Sequence, residues 1–430
     1  MIYKTLKYHL KAKGEQKCLL DLLCHISKNI YNASLYELRQ SYFKEGKLYD
    51  YSLFINKMKN NENYEILHAY QSVSTTKNAY TNMVKFINNK LKLSKYLSKE
   101  AYYPLIINNV KIEKINDEKI QQLPISYILK SDNLFKKEYS DMLINKFIKE
   151  SKLDKNYNIY LKVPQKIENK DIRQIRIVPN YNGYYYTVEF SYIENEKITK
   201  NEGEELMAID LGINNLATCV TTENESFIID GKSLKSRNRL YNKKMAYLQS
   251  KNKKTEYTNE MKKIIIHHSN YVNDYINKAA KQLIEKAKSL KVRKIVIGYN
   301  KGLKNNGIKN DILTKKEKKI INQNFTQVPL YKFKERIKLV SEKEGIECEE
   351  INESYTSLAS FYDGDKCKCG ERFSGKRIKR GLYTTKEGKL VNADVNAALN
   401  ILSKSNSNNN KINYLRSRGL TIPKRIQVNL

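Results

Sequence analysis

At 430 residues the chain has room for two or three domains and a sizeable core. Its 79 Lys and Arg against 46 Asp and Glu leave a formal net charge of +33, spread along the whole length. AT-rich coding alone raises lysine and glutamate together, so it does not account for this imbalance, which points to a nucleic-acid partner. No apolar stretch is long enough to span a membrane, there is no signal peptide, and six scattered cysteines lack disulfide-like spacing. These features exclude a membrane protein and a disulfide-stapled secreted domain, and predict a soluble, reduced, cytoplasmic one. Thirty-three tyrosines interleaved with lysines offer rings for bases beside cations for phosphates, although core packing is the commoner fate of any single tyrosine.

Residues 2–10 alternate, with Leu6, Tyr8 and Leu10 against Thr5, Lys7 and His9, which predicts a strand. Leu19, Leu22, Leu23, Ile26, Ile30 and Ala33 recur at three and four and predict a long helix. Val73, Ala79, Tyr80, Met83 and Ile87 predict another. Strand character returns at Ile159–Val163, Gln174–Val178 and Tyr184–Ile193, the last two joined by an Asn182-Gly183 hairpin turn. The N-terminal half therefore reads as a β unit interrupted by a helical insertion. After a charged link over Glu194–Glu205 come a strand ending near Asp210, then short strands at Ala217–Thr222 and Ser226–Asp230. Helices are expected at Lys235–Lys251, Tyr257–Leu290 and Pro329–Glu344, strands at Lys294–Ile297 and Ile346–Glu353, and a closing helix at Asp394. A meander followed by alternating helices and strands is the order of an RNase H-like α/β fold. Ser405–Asn410 reads as a flexible link.

Two acidic motifs carry the chemistry. In Leu206-Met207-Ala208-Ile209-Asp210-Leu211-Gly212 a buried strand delivers a carboxylate at its mouth. In Asn392-Ala393-Asp394-Val395-Asn396-Ala397-Ala398-Leu399-Asn400-Ile401 an aspartate opens an Ala-rich helix, near the positive end of its dipole. Carboxylates on two rigid elements suit divalent metal and phosphodiester chemistry, and the two fragments look like the first and third motifs of RuvC-type nucleases. Such nucleases hold two Mg2+ ions with Asp, Glu and Asp. The middle Glu should end the Lys294–Ile297 strand, but Gly298-Tyr299-Asn300 stands there. Either Glu353, one strand over at the same edge, supplies the missing acid, or the acid is lost and the protein binds without cutting.

Taken together, Ala208–Asn215, Ser354-Tyr355-Thr356-Ser357 and Asp394–Ile401 resemble TnpB, the transposon-encoded RNA-guided nucleases related to compact type V CRISPR effectors. The resemblance implies a wedge β-barrel (residues 1–14 and 151–200) interrupted by a recognition helical bundle (15–150). A RuvC domain (201–403) with a degenerate zinc loop near 360–390 and a tail (404–430) would follow. It further implies a subgroup in which the second-motif Glu has moved, so that Asp210, Glu353 and Asp394 bind Mg2+. Guide RNA and double-stranded target DNA are the implied partners. Arg237, Arg239, Lys243 and Lys244, and in the loop Arg377, Lys379 and Arg380, are candidate nucleic-acid contacts. Most members carry two Cys-x-x-Cys pairs in that loop, whereas this chain has only Cys367 and Cys369, so zinc is not expected without outside ligands. Three other readings stay open: a CRISPR effector with a repeat-derived guide, a nuclease-inactive guided repressor, and a DDE-like transposase. The last is disfavoured because it lacks the Ser-Tyr-Thr-Ser and Asn-Ala-Ala segments.

Overall fold

The computed structural model describes residues 2–108, 113–114, 120–124, 141–142, 144–146, 158–194, 201–252, 257–300, 327–379, 381–405, 409–419 and 422–429. They divide into two compact units, residues 1–196 and 197–430.

In the first unit, β1 (Ile2–Leu10) is followed by α1 (Gly14–Glu45), α2 (Tyr51–Met58), α3 (Glu62–Ile66) and α4 (Ala69–Ile87). The predicted stripe on α1 is enclosed at Leu19, Leu22, Leu23, Ile26 and Ile30, with Ala33 half-buried, but burial runs all round the helix from Leu19 to Lys28. Small hydroxyl residues line the contact of α1 with α4, where Ser27 meets Thr75 at 3.2 Å and Ser34 meets Thr76 at 3.3 Å. Pairing such groups satisfies them inside the core. Among the described residues the strands β2 (Leu105–Asn108), β3 (Glu113–Lys114), β4 (Ile120–Pro124) and β5 (Asn158–Lys162) come next, with helical residues 142 and 144–146 between the last two. The hairpin β6 (Asp171–Asn180) and β7 (Tyr185–Glu194) turns through Tyr181, Asn182 and Gly183, at φ +49°, +54° and +69°. Three consecutive left-handed residues suit the Asn-Gly pair that signalled the turn.

Among the described residues the strands pair as two sheets, β1-β7-β6-β2 and β3-β4-β5, and closure into a barrel is not among these pairings. The expected helical insertion over 15–150 is thereby corrected. Leu105-Ile106-Ile107 is a strand in register with Ile177-Arg176-Ile175. A run this short has no periodicity of its own, and only its distant partner makes it a strand.

The second unit opens with a meander of β8 (Glu205–Leu211), β9 (Asn215–Thr221) and β10 (Ser226–Asp230). Two long helices follow, α5 (Lys232–Lys251) and α6 (Asn259–Ser289), then β11 (Val292–Gly298), α7 (Leu330–Lys343) and β12 (Glu347–Ile351). A small antiparallel sheet of β13 (Lys376–Lys379), β14 (Leu382–Thr384) and β15 (Leu390–Asn392) precedes α8 (Ala393–Ser405), α9 (Asn409–Ser417) and β16 (Lys424–Ile426). The main sheet has the order β12-β11-β8-β9-β10-β16, with β8, β11 and β12 parallel. Strand alternation splits its core in two. Met207 and Ile209 turn to a cluster with Tyr275, Ile276, Leu283 and Phe333 of α6 and α7. Ala208, Val220 and Val296 turn to Val395, Ala398, Leu399, Ile401 and Leu402 of α8 and to Ile412 and Leu415 of α9. Asp210, two residues after Ala208, therefore points to the α8 side.

The segment expected as a tail builds part of this unit. Residues 406–408 of the expected flexible link lie outside the described residues, but Asn409 already begins α9, and β16 pairs in parallel with β10. Its signal was missed because three residues, Lys424-Arg425-Ile426, are too short for any periodicity. Deleting residues 422–430 removes buried Val428 and the β16 edge. The expected loss is about 2 kcal/mol. It would be read as a fall in Tm of about 4–8 °C by scanning calorimetry.

Candidate active site

The parallel strands β8, β11 and β12 end at one edge of the sheet. Their register pairs Ile297 with Ile209, and Gly298 with Ile351, so Gly298 falls level with Asp210. Asp210 is half-buried in the central strand. Burial raises its carboxyl well above the ordinary carboxylate range, the negative charges of Asp394 and Glu353 raise it further, and the Arg377 guanidinium opposes them. The three predicted acids are thus brought into electrostatic contact, on β8, after β12 and on α8.

Asp394 stands in the first turn of α8. Asn392 caps that helix, its Oδ1 accepting from the backbone of Asp394 at 3.0 Å and of Val395 at 3.1 Å. The Asp394 carboxylate accepts from Asn215 Nδ2 at 2.7 Å and from Arg377 at 3.4 Å. Asn215 is oriented in turn by Arg425 of β16, whose guanidinium donates to Asn215 Oδ1 at 2.8 Å and to Asp230 Oδ1 at 2.6 Å. The Asp394 and Asp210 motifs were read in the sequence, but this C-terminal arginine was not. Only the parallel pairing of β16 with β10 carries it to the site.

Glu353 lies two residues beyond β12, half-buried, and burial raises its carboxyl while Lys404 opposes the shift. A Cβ built on Gly298 would come within 3.3 Å of the Glu353 Cβ, so Glu353 occupies the neighbourhood of the expected middle acid. The same Cβ would lie 2.3 Å from Ile401 Cδ1 and 3.0 Å from its Cγ1. Glycine at 298 therefore lets fully buried Ile401 seat against the sheet. The following segment is unusual in its backbone, since Tyr355 takes φ +67° without being glycine.

Carboxylates suit Mg2+, which binds through a few oxygens and keeps several waters. Two observations fit such an ion. Mutual repulsion and burial disfavour charge on Asp210, a cost that a cation offsets. Thr218 stands opposite Asp210 on β9, and its buried hydroxyl has no hydrogen-bond partner among the described residues. No group of three His, Cys, Asp or Glu among the described residues is close enough to hold one ion by itself. Protein ligands would therefore be shared with water and phosphate.

The predicted basic residues separate by face. On α5, Arg237 and Lys244 line a cavity of about 240 Å³ with Tyr241, His267 and His268. Arg237 meets His267 Nδ1 at 3.3 Å and lies over the Tyr271 ring, while Arg239 and Lys243 are exposed. On β13, Arg377 turns to Asp394 and Lys379 is exposed. Arg380 lies outside the described residues. In the expected zinc loop, the Cys369 thiol hydrogen-bonds with Tyr355 and burial raises the Cys367 thiol. The loop is knitted by a carboxylate: Asp365 accepts from Ser360 N at 2.8 Å, Ser374 N at 2.9 Å and Ser374 Oγ at 2.7 Å.

A six-strand sheet whose three parallel strands meet at an acidic edge defines an RNase H-like, RuvC-type nuclease fold. The family described as OrfB_IS605, probable transposase, matches residues 188–304, and the Cas12f1-like TNB domain matches residues 331–401. With the strand order, these matches make the chain TnpB-like. No curated protein sequence matches it. Among solved structures it is similar to a Cas12f1 in complex with sgRNA and target DNA, with a TM-score of 0.58 and 15% identity. That alignment covers 92% of this chain and 83% of the other, and shows a shared fold. A CRISPR-Cas12f ternary complex aligns at TM-score 0.34 and 17% identity over 91% and 81% of the two chains. The mini-RNA-guided endonuclease CRISPR-Cas_phi3 aligns at 0.44 and 11% over 94% and 92%. These last two scores are too low to carry an argument.

Replacing Gly298 with Ala forces Ile401 to shift. The expected cost is about 1–3 kcal/mol by overpacking. Urea denaturation checks it, and an unchanged midpoint would mean that α8 yields freely.

Proposed function

We propose that the chain is an RNA-guided DNA endonuclease, cutting target DNA beside a short flanking motif by metal-dependent phosphodiester hydrolysis. The observation that carries the reading is the crowding of Asp210 by Asp394 and Glu353 at the mouth of the central strand. The net charge of +33 and the shared fold with a Cas12f1 solved with sgRNA and target DNA support nucleic acid as partner. No helix among the described residues is long and apolar enough to cross a membrane.

In this reading Asp210, Glu353 and Asp394 hold two Mg2+ ions. When bound, these ions supply charge neutralisation at the scissile phosphate and an activated water. The chain's own part is positioning. Asn215, held by Arg425, keeps the Asp394 carboxylate turned toward the site. Arg377, at 3.4 Å from Asp394, is near enough to exchange that partner for a phosphate oxygen, and its planar fork suits one. Guide–target pairing supplies sequence specificity, and the helices and sheets of the first unit read duplex shape and the flanking motif. Exposed Arg239, Lys243 and Lys379 serve backbone phosphates. Whether the guide derives from a transposon end or a CRISPR repeat is a property of the locus.

Gly298 favours one second reading, a guided DNA binder that does not cut, because the carboxylate expected there is absent.

A plasmid library with a fixed target beside randomised flanks, cut by the protein co-expressed with its locus RNA, tests both. Wild type should cut with Mg2+. Asp210→Asn, Glu353→Gln and Asp394→Asn should each lose at least about 100-fold of the rate while retaining target binding. Binding by wild type without cutting in any divalent metal would favour the binder. Cutting by Glu353→Gln would remove Glu353 from the site. Arg377→Ala is expected to lower the rate by about 10–100-fold with Mg2+ still required.

A further inference from the structure

β12 ends at Ile351, whose carbonyl accepts the last sheet contact, from Tyr299 N at 2.9 Å. Glu353 therefore lies on a loop, where its carboxylate would wander unless something else held its peptide units. The structure shows what holds them. Lys404 Nζ, from the last turn of α8, donates to the carbonyl of Asn352 at 2.7 Å and to that of Ser354 at 3.2 Å. These are the carbonyls immediately before and after Glu353. Asn352 Oδ1 accepts from Ser354 N at 2.9 Å and Ser354 Oγ at 2.6 Å, closing a tight turn around Glu353. Thr356 donates its N–H and hydroxyl to the Glu353 carbonyl at 3.2 and 2.8 Å.

Further along the loop the same helix takes over. Asn400 donates to the carbonyls of Thr356 and Ala359 at 3.0 and 2.7 Å. Asn396 donates to Ala359 O at 2.8 Å and accepts from Phe361 N at 3.0 Å. Asn396, Asn400 and Lys404 are spaced by four and form one stripe on α8. The two asparagines are buried, at 0% and 2% exposure, and anchor the loop as part of the core. Lys404 is exposed, and its hydrogen bonds among the described residues go to the peptide units around Glu353, so it can be removed without opening the core.

We propose that Lys404 is a positioning residue for Glu353: by clamping the carbonyls on either side, it fixes that carboxylate at a set distance from Asp394, which α8 itself carries. This rests on the reading of Glu353 as a metal-site carboxylate. One helix then sets two of the three acids, and its Ile401 occupies the space that a side chain at position 298 would need. Groups that orient a metal ligand in this way typically change affinity or activity by 10–100-fold when lost.

The experiment compares wild type, Lys404→Met, Lys404→Arg and Asp210→Asn as the assembled protein–RNA–target complex. Cleavage rate is measured against Mg2+ concentration, and Mn2+ binding is measured directly by electron paramagnetic resonance. Lys404→Met should need about 10-fold more Mg2+ for half-maximal rate and bind Mn2+ about 10-fold more weakly. Target binding and Tm should stay at wild-type values, and Lys404→Arg should restore most of the loss. Wild-type metal dependence in Lys404→Met overturns the clamp. So does a loss that comes with a lower Tm and is not rescued by arginine, since that marks a merely structural contact. A wild-type complex that neither cuts nor binds Mn2+ in an Asp210-dependent way would instead sink the metal-site reading, and the clamp with it.

Discussion

The packing of α8 against the main sheet is the constraint on which the candidate site depends. Ala398 is small enough to bring the helix axis close to Ala208, Val220 and Val296, and Ile401 completes the contact over Gly298. A helix seated so closely cannot shift without opening voids, and interiors packed at crystal-like density resist that. Its N-terminal turn carries Asp394, while its polar stripe ties down the loop bearing Glu353. Two asparagines inside an Ala-rich buried helix would be costly if unpaired. Here each meets loop carbonyls that would themselves be unsatisfied.

Electrostatics opposes this assembly. Three carboxylates in a half-buried space repel one another, and burial of Asp210 adds to the cost. The chain offsets this locally and not through its large overall positive charge, which solvent screens over distances beyond about 10 Å. Arg377 reaches Asp394 from the small sheet, Asn215 donates to it from β9, and Lys404 lies beside Glu353. These partners moderate the repulsion without removing it, which is the electrostatic condition under which a carboxylate cluster gains from divalent cations.

The small sheet of β13, β14 and β15 adjoins a loop held by side-chain hydrogen bonds. Asp365 gathers three donors from Ser360 and Ser374, and Tyr383, fully buried, donates its hydroxyl to Leu358 O at 2.8 Å. A carboxylate accepting backbone and hydroxyl donors fixes a loop much as a shared metal does. The sheet it stabilises presents Arg377 to Asp394, so the loop contributes to the site through a side chain.

How much of this was legible in the sequence follows from what each signal depends on. Asp210 and Asp394 were readable because each sits on an element with a strong local pattern, an apolar strand and an Ala-rich helix. The Tyr186–Tyr192 face of the hairpin and the helical stripe of α1 were readable for the same reason, since periodicity records which face is buried. Strand order placed Glu353 near the edge that holds Gly298, where the structure also has it, although β12 stops two residues short of it. The strand Leu105–Asn108, the edge strand carrying Arg425, and the stripe of Asn396, Asn400 and Lys404 reaching back to residues 352–361 were not legible. Each is defined by a partner about 40 to 200 residues away in sequence, and its local segment is too short or too polar to declare it. The sequence alone determined which acids exist and which elements carry them. Only the tertiary structure decided that one helix holds two of them in place, because that depends on how closely α8 can approach the sheet.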